Sequence, residues 1–156
     1  MTAEHPVRLH LGAGHYHWPG FINHDDEIDL KNLPYKDESI SAIYSIHMFE
    51  HLPRMEIDDF LAEWKRVLVP RGTLVMEMPS LDKMAKLITK GTTHPRLTLF
   101  GIFGDPRDWE ERPLMRHQWS WTQAELAYVL RDFEVEFQNP VYHLQQRDLR
   151  VIARKP

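Results

Sequence analysis

Residues 7–25 read VRLHLGAGHYHWPGFINHD. Val7 to Leu11 is a short apolar run closed by Gly12-Ala13-Gly14, the pattern of a buried strand that ends in a tight turn. Phe21 to His24 follows Pro19-Gly20 as a second short strand and ends at Asp25. Only His15 to Gly20 separates the two, fewer than the roughly 10–12 residues of a full crossover, so the first helix is shortened to a stub. Further along, Glu27 to Leu30 offers a third strand fragment and Ser41 to Ile46 a central strand. From Met55 to Leu68, the apolar residues Ile57, Phe60, Leu61, Trp64, Val67 and Leu68 share one face of an amphipathic helix. Pro70-Arg71-Gly72 stops it, and Leu74, Met76 and Met78 then alternate along a strand to Pro79. Ser80 to Lys90 has a short helical pattern, whereas Gly91 to Ser120 has no period and reads as loop or lid. Thr122 with Glu125 is a capping-box pair that opens a helix carrying Leu126, Val129, Leu130 and Phe133. Strands at Val135 to Phe137 and Leu149 to Ala153 follow. The alternation predicts an α/β three-layer sandwich: a mostly parallel sheet with helices on both faces and an antiparallel last strand.

At 156 residues, with 42% hydrophobic and 27% charged side chains, the composition is that of one globular domain over residues 1–156, with 91–120 as its variable segment. The absence of cysteine excludes disulfide scaffolds, thiolate metal sites and a cysteine nucleophile. A net charge of −4 supplies no field for a phosphate backbone, so no nucleic-acid partner is expected. The residues MTAEHPVRLHLGAG lack the basic and apolar regions of a signal peptide, and no membrane-spanning apolar run occurs. These features predict a soluble, cytoplasmic protein.

In sheets of this kind ligands bind outside the carboxyl ends of the strands, where strand order reverses. Gly12 and Gly14 permit close approach to the backbone there. Asp25, at the next strand end, is placed to accept from the two hydroxyls of a ribose, and Asp29-Leu30 to set an acceptor and an apolar wall beside a purine. A dinucleotide fingerprint fails on spacing, because its third glycine would fall on His17. His47-Met48-Phe49-Glu50-His51 matches H-x-x-E-H, the zinc-hydrolase pattern, and His15-Tyr16-His17 is a short histidine tract. The zinc reading accounts for neither Asp25 nor the Pro70-Gly72 turn.

The stretches LHLGAG, PGFINHD, IDLKNLPYKDESISAIYSIHMFEHL and FLAEWKRVLVPRGTLVMEMPSL, which together span about half the chain (9–81), resemble the compact, type-11-like class I S-adenosylmethionine-dependent methyltransferases. The resemblance implies a Rossmann-like fold with S-adenosyl-L-methionine as cofactor. It places Leu11, Gly12, Ala13 and Gly14 around the methionine portion, Asp25 on the ribose, Asp29 and Leu30 beside the adenine, and Ile46 and His47 near the methionine amino end and the methyl group. No metal is implied. His10 replaces the family's acid before the first glycine, and His15-Tyr16 replaces its third small residue, departures that bear on cofactor affinity. The spacing resembles a subgroup associated with sugar or surface-polysaccharide modification, so the expected acceptor is a small molecule or saccharide. His51 is the candidate general base, His117 and Trp119 the candidate acceptor-side residues, and Arg116 an anchor for an anionic acceptor. The rival within the same fold is a scaffold that binds the cofactor without transferring its methyl group.

Overall fold

The computed structural model describes residues 6–156. Six strands, β1 (Arg8–Leu11), β2 (Ile22–His24), β3 (Ile40–Ile46), β4 (Leu68–Pro79), β5 (Glu134–Gln138) and β6 (Asp148–Arg154), form one sheet in the order β2-β1-β3-β4-β6-β5. The first four are parallel, and β6 runs antiparallel to both β4 and β5. The chain passes from β1 to β2 on one side and returns to β3 on the other. Strand order therefore reverses at β1, and the ends of β1 and β3 flank the crevice where such sheets bind ligands.

Register assigns the two faces. Leu9, Ile43, Leu74 and Ala153 form one cross-strand row, and Leu11, Met76 and Val151 share its side of the sheet. Against that face pack α1 (Ile57–Val67), through Ile57, Phe60, Leu61, Trp64 and Val67, and α4 (Gln123–Val129), through Leu126 and Val129. The 3,4 spacing of apolar residues read in α1 is the stripe it buries. Thr122 caps α4 by accepting from the Glu125 N–H, but the reciprocal half of the capping box is not made. The Glu125 carboxylate accepts instead from Arg54 Nε (3.1 Å) and Trp119 Nε1 (3.0 Å).

The opposite face carries His10, Tyr44, Val75 and Ile152 in one row and Ile46, Glu77 and Arg150 in another. Where the sequence predicts a helix stub after β1, residues 12–21 hold only turns. Aromatic rings do the covering: Trp18 stacks on His10 (4.1 Å between centroids) and meets Tyr44 and Tyr142 at 5.7 and 4.9 Å, while Phe21 packs edge-on against Tyr44. Asn23 braces this segment, accepting from the Trp18 N–H and donating to the Trp18 and Phe21 carbonyls. Beneath the rings, Glu77 is fully buried and accepts from Arg150 (2.7 Å) and from the N–H groups of Val141 (2.7 Å) and Tyr142 (3.0 Å).

Two expectations are corrected. Glu27 to Leu30 is not a strand: the Glu27 carboxylate accepts from the Asp25 N–H, and Asp29 accepts from the Lys31 N–H, which fold the segment into turns. The stretch 91–120 is not structureless. It holds α3 (Leu99–Phe103) and three 3-10 turns, each beginning at a proline, after α2 (Leu81–Thr89). No described helix is long and apolar enough to cross a membrane.

Candidate functional site

The carboxyl ends of β1, β2 and β3 meet at one rim. Gly12 has φ +72°, and a Cβ there would run into Cβ and Cγ of Met48, the residue two beyond β3. Glycine is required at this position twice over, by backbone angle and by packing. Gly14 also has positive φ (+50°), but nothing lies within 4 Å of where its Cβ would stand, so that side of the turn is open space. The Ala13 N–H donates to the His24 carbonyl (2.8 Å), tying the turn to the end of β2. Asp25 follows directly, exposed, and its carboxylate has no hydrogen-bond partner among the described residues.

The other residues singled out from the sequence fall less simply. The Leu11 side chain is fully buried in the core and contributes only backbone to the rim. Asp29 is exposed, with its carboxylate engaged by the Lys31 N–H. Leu30 packs against the core, and its carbonyl accepts from Trp64 Nε1 (3.1 Å). Ile46 is buried at the end of β3, and the next N–H, that of His47, is spent on the Glu77 carbonyl (2.8 Å). Trp119 is exposed and directs its indole N–H to Glu125. Arg116 lies over the Trp109 ring.

His47 is the most constrained group at the rim. Its backbone is left-handed (φ +51°), a conformation that costs a non-glycine residue on the order of 1–3 kcal/mol and persists only when its surroundings fix it. They do so through the ring: Nδ1 lies 3.0 Å from Glu50 Oε1, and Nε2 lies 3.1 Å from Asp148 Oδ2. Burial opposes a charge here, but the two carboxylates outweigh it and raise His47 to about 9. Burial likewise works against ionising Asp148, and His47 with Arg147 overcomes it, holding that carboxyl at about 2. The H-x-x-E-H zinc site is therefore not assembled, because both nitrogens of His47 face carboxylates and the ring does not join His51. The sequence signal for Asp148 is its place, with Arg150 and Arg154, among the apolar residues Leu149, Val151, Ile152 and Ala153 of β6.

Asp148 carries a pH prediction. Its folded pKa lies below the ordinary value of 3.8, so the stabilisation is complete above that value and is lost as pH falls toward 2. The loss is on the order of 2 kcal/mol. Thermal unfolding between pH 5 and 2 is expected to show a steeper acid decline in the wild type than in Asp148→Asn; parallel declines would refute the assignment.

A second group stands beyond β3, on the 3-10 turn Phe49–His51. Glu50 is 1% exposed; His47 is close, but off the hydrogen-bond line, and neither carboxylate oxygen has an aligned donor among the described residues. His51 and His117 approach edge to face with centroids 4.8 Å apart. The N–H groups of Gln118 and Trp119 donate to the Glu50 carbonyl, so the 101–121 segment docks on this turn. Burial lowers the His117 pKa.

Residues 21–76, from the start of β2 to the middle of β4, match the methyltransferase domain family. A chain of the Haloferax volcanii complex containing the Trm112 methyltransferase activator superposes with a TM-score of 0.60 at 14% identity, over 97% of this chain and 83% of that one. A SAM-dependent methyltransferase from Thermotoga maritima gives 0.57 at 13% identity, over 99% and 84%. The fold is that of the class I methyltransferases. A third, from Methanosarcina mazei, gives 0.55 at 19% identity, over 86% of this chain and 66% of that one. No curated protein matches the sequence. The methyltransferase match contains Asp25, His47, Glu50 and His51, and begins after the Gly12–Gly14 turn.

Proposed function

We propose that the chain binds S-adenosyl-L-methionine across the carboxyl ends of β1, β2 and β3 and transfers its methyl group to a small-molecule or saccharide acceptor. The observation that carries this reading is the unpartnered Asp25 carboxylate beside a glycine turn whose open side is Gly14, at the point where strand order reverses. These residues suit a nucleoside: the turn admits it to the backbone, and Asp25 is available for the ribose hydroxyls. Asp29 and Leu30 suit the adenine less well, being occupied by their own turn and by the core.

When bound, the cofactor supplies an electrophilic methyl group on a sulfonium. In-line displacement asks the protein mainly to align the acceptor and exclude water. The docked 101–121 segment, with His117 and Trp119, forms the acceptor-side wall in this reading. His51 accepts the acceptor's proton through Nε2, with Nδ1 directed to the Arg116 carbonyl (3.2 Å).

Calorimetric and thermal-shift titration tests the reading. S-adenosylmethionine or S-adenosylhomocysteine at 100 times its dissociation constant is expected to stabilise the fold by ~2.7 kcal/mol, a rise of roughly 5–11 °C, with NAD giving far less. Asp25→Ala is expected to weaken binding at least tenfold, ~1.4 kcal/mol, without lowering the melting point of the free protein. Equal shifts with NAD, or undiminished affinity in the variant, would refute the placement. Tight binding without acceptor-dependent release of S-adenosylhomocysteine, across a saccharide and small-molecule screen, would favour the scaffold role.

A further inference from the structure

We propose that Glu50, His51 and His117 form a binding site for one borderline first-row divalent cation of the zinc class, at the edge of the methyltransferase rim. One ligand atom from each lies within 4.8 Å of the other two. Tetrahedral ligand atoms ~2.0–2.1 Å from a common ion are ~3.4 Å apart, so the set closes on a cation with a contraction of up to about 1.4 Å.

Three independent features point to a ligand. The first is Glu50. It is 1% exposed, and neither oxygen receives an aligned hydrogen bond. Its close charge partner, His47, meets Oε1 at 3.0 Å without an aligned N–H, so this buried carboxylate, facing two further imidazoles, keeps acceptor capacity for a ligand. The second is the outer bonding of both rings. His51 Nδ1 is directed to the Arg116 carbonyl (3.2 Å) and His117 Nδ1 to the Gly101 carbonyl (2.9 Å). A carbonyl on Nδ1 fixes the tautomer that leaves the Nε2 lone pair free, which is how metal-binding histidines are held. The third is convergence. Glu50 and His51 come from the turn after β3, His117 comes from the distant 101–121 segment, and the Gln118 and Trp119 N–H groups lock the two segments together. The three ligands are thus brought together without an ion and need only that contraction to hold one.

Two imidazoles and one carboxylate select the class of ion. Nitrogen donors suit Zn2+ and its first-row neighbours, whereas Mg2+ and Ca2+ prefer all-oxygen shells. Three protein ligands leave at least one coordination position open. On the methyl-transfer reading, which this role alone rests on, that position takes the acceptor hydroxyl. There a bound cation would lower the hydroxyl's pKa, its proton passing to solvent, in place of proton acceptance by His51. His51 is then a ligand in the loaded protein and a free imidazole without the ion.

The full-length protein, stripped with a chelator and dialysed, is titrated calorimetrically with ZnCl2 and, separately, with MgCl2; Co2+ absorption in the visible range reports the coordination. One equivalent of Zn2+ is expected to bind, far more tightly than Mg2+. Glu50→Gln and His117→Gln are each expected to weaken it by more than the ten- to hundredfold that outer partners are worth. His117 is only partly buried, so that variant serves if Glu50→Gln melts early. The double variant His15→Gln/His17→Gln, in the exposed histidine tract, is expected to bind as the wild type does. No Zn2+ binding by the stripped protein, unchanged affinity in both site variants, loss confined to the tract variant, or Mg2+ binding as tight as Zn2+ would overturn the proposal. S-adenosylmethionine titrated into the stripped protein reports on the cofactor reading alone, so failure of either is visible separately.

Discussion

Glu77→Ala is expected to destabilise the protein by about 3–5 kcal/mol, because it strands the buried Arg150 guanidinium on the second face of the sheet. The same substitution removes the acceptor for the Val141 and Tyr142 N–H groups, and Tyr142 is one of the rings that lie on Trp18. Equilibrium denaturation should show the loss as a lower midpoint, accompanied by a change in tryptophan emission from Trp18. Replacing the pair together, Glu77→Leu with Arg150→Met, is expected to recover most of it, since an apolar pair carries no desolvation cost. A single variant within about 1 kcal/mol of wild type would mean that the guanidinium reaches solvent after all.

Gly12→Val should be nearly as severe, at about 2–5 kcal/mol. The new side chain meets a disfavoured positive φ and collides with Met48, whose displacement drags on His47 and Glu50. Gly14→Ala separates the two effects. Its φ is also positive, but the space is free, so only the backbone cost of about 1–2 kcal/mol is expected. In the methyl-transfer reading the added methyl group enters the cofactor's place, so affinity should fall by more than stability does. Comparing chemical denaturation with S-adenosylmethionine titration for both variants checks the distinction; equal costs for the two glycines would contradict the geometry at the turn.

Local pattern carried much of the architecture. The short span from Leu11 to Phe21 forbids a crossover helix, and turns fill it; the apolar stripe of α1 and the Thr122 cap lie where spacing puts them. What pattern could not carry was pairing at long range. Glu77 meets Arg150 across 73 residues and His47 meets Asp148 across 101, contacts that only sheet register creates. Glu27 to Leu30 misled for the opposite reason: its alternation suits a strand, but its carboxylates find their own backbone first. At the candidate site, the glycine turn and Asp25 were readable because strand ends are set by local sequence. His47, marked for its backbone, is instead most engaged through its ring, and the partnership of His51 with His117 depends on a segment without period.

The clasp on His47 also bears on when during folding the rim takes shape. Its left-handed backbone follows the third strand, but the aspartate that holds the ring lies at the start of the sixth. A nascent chain that has made β1 to β4 would have every glycine of the turn and still lack the group that pins this residue. The shape of the rim is thus coupled to completion of the sheet, and on the methyl-transfer reading a half-made molecule would present no competent imitation of it.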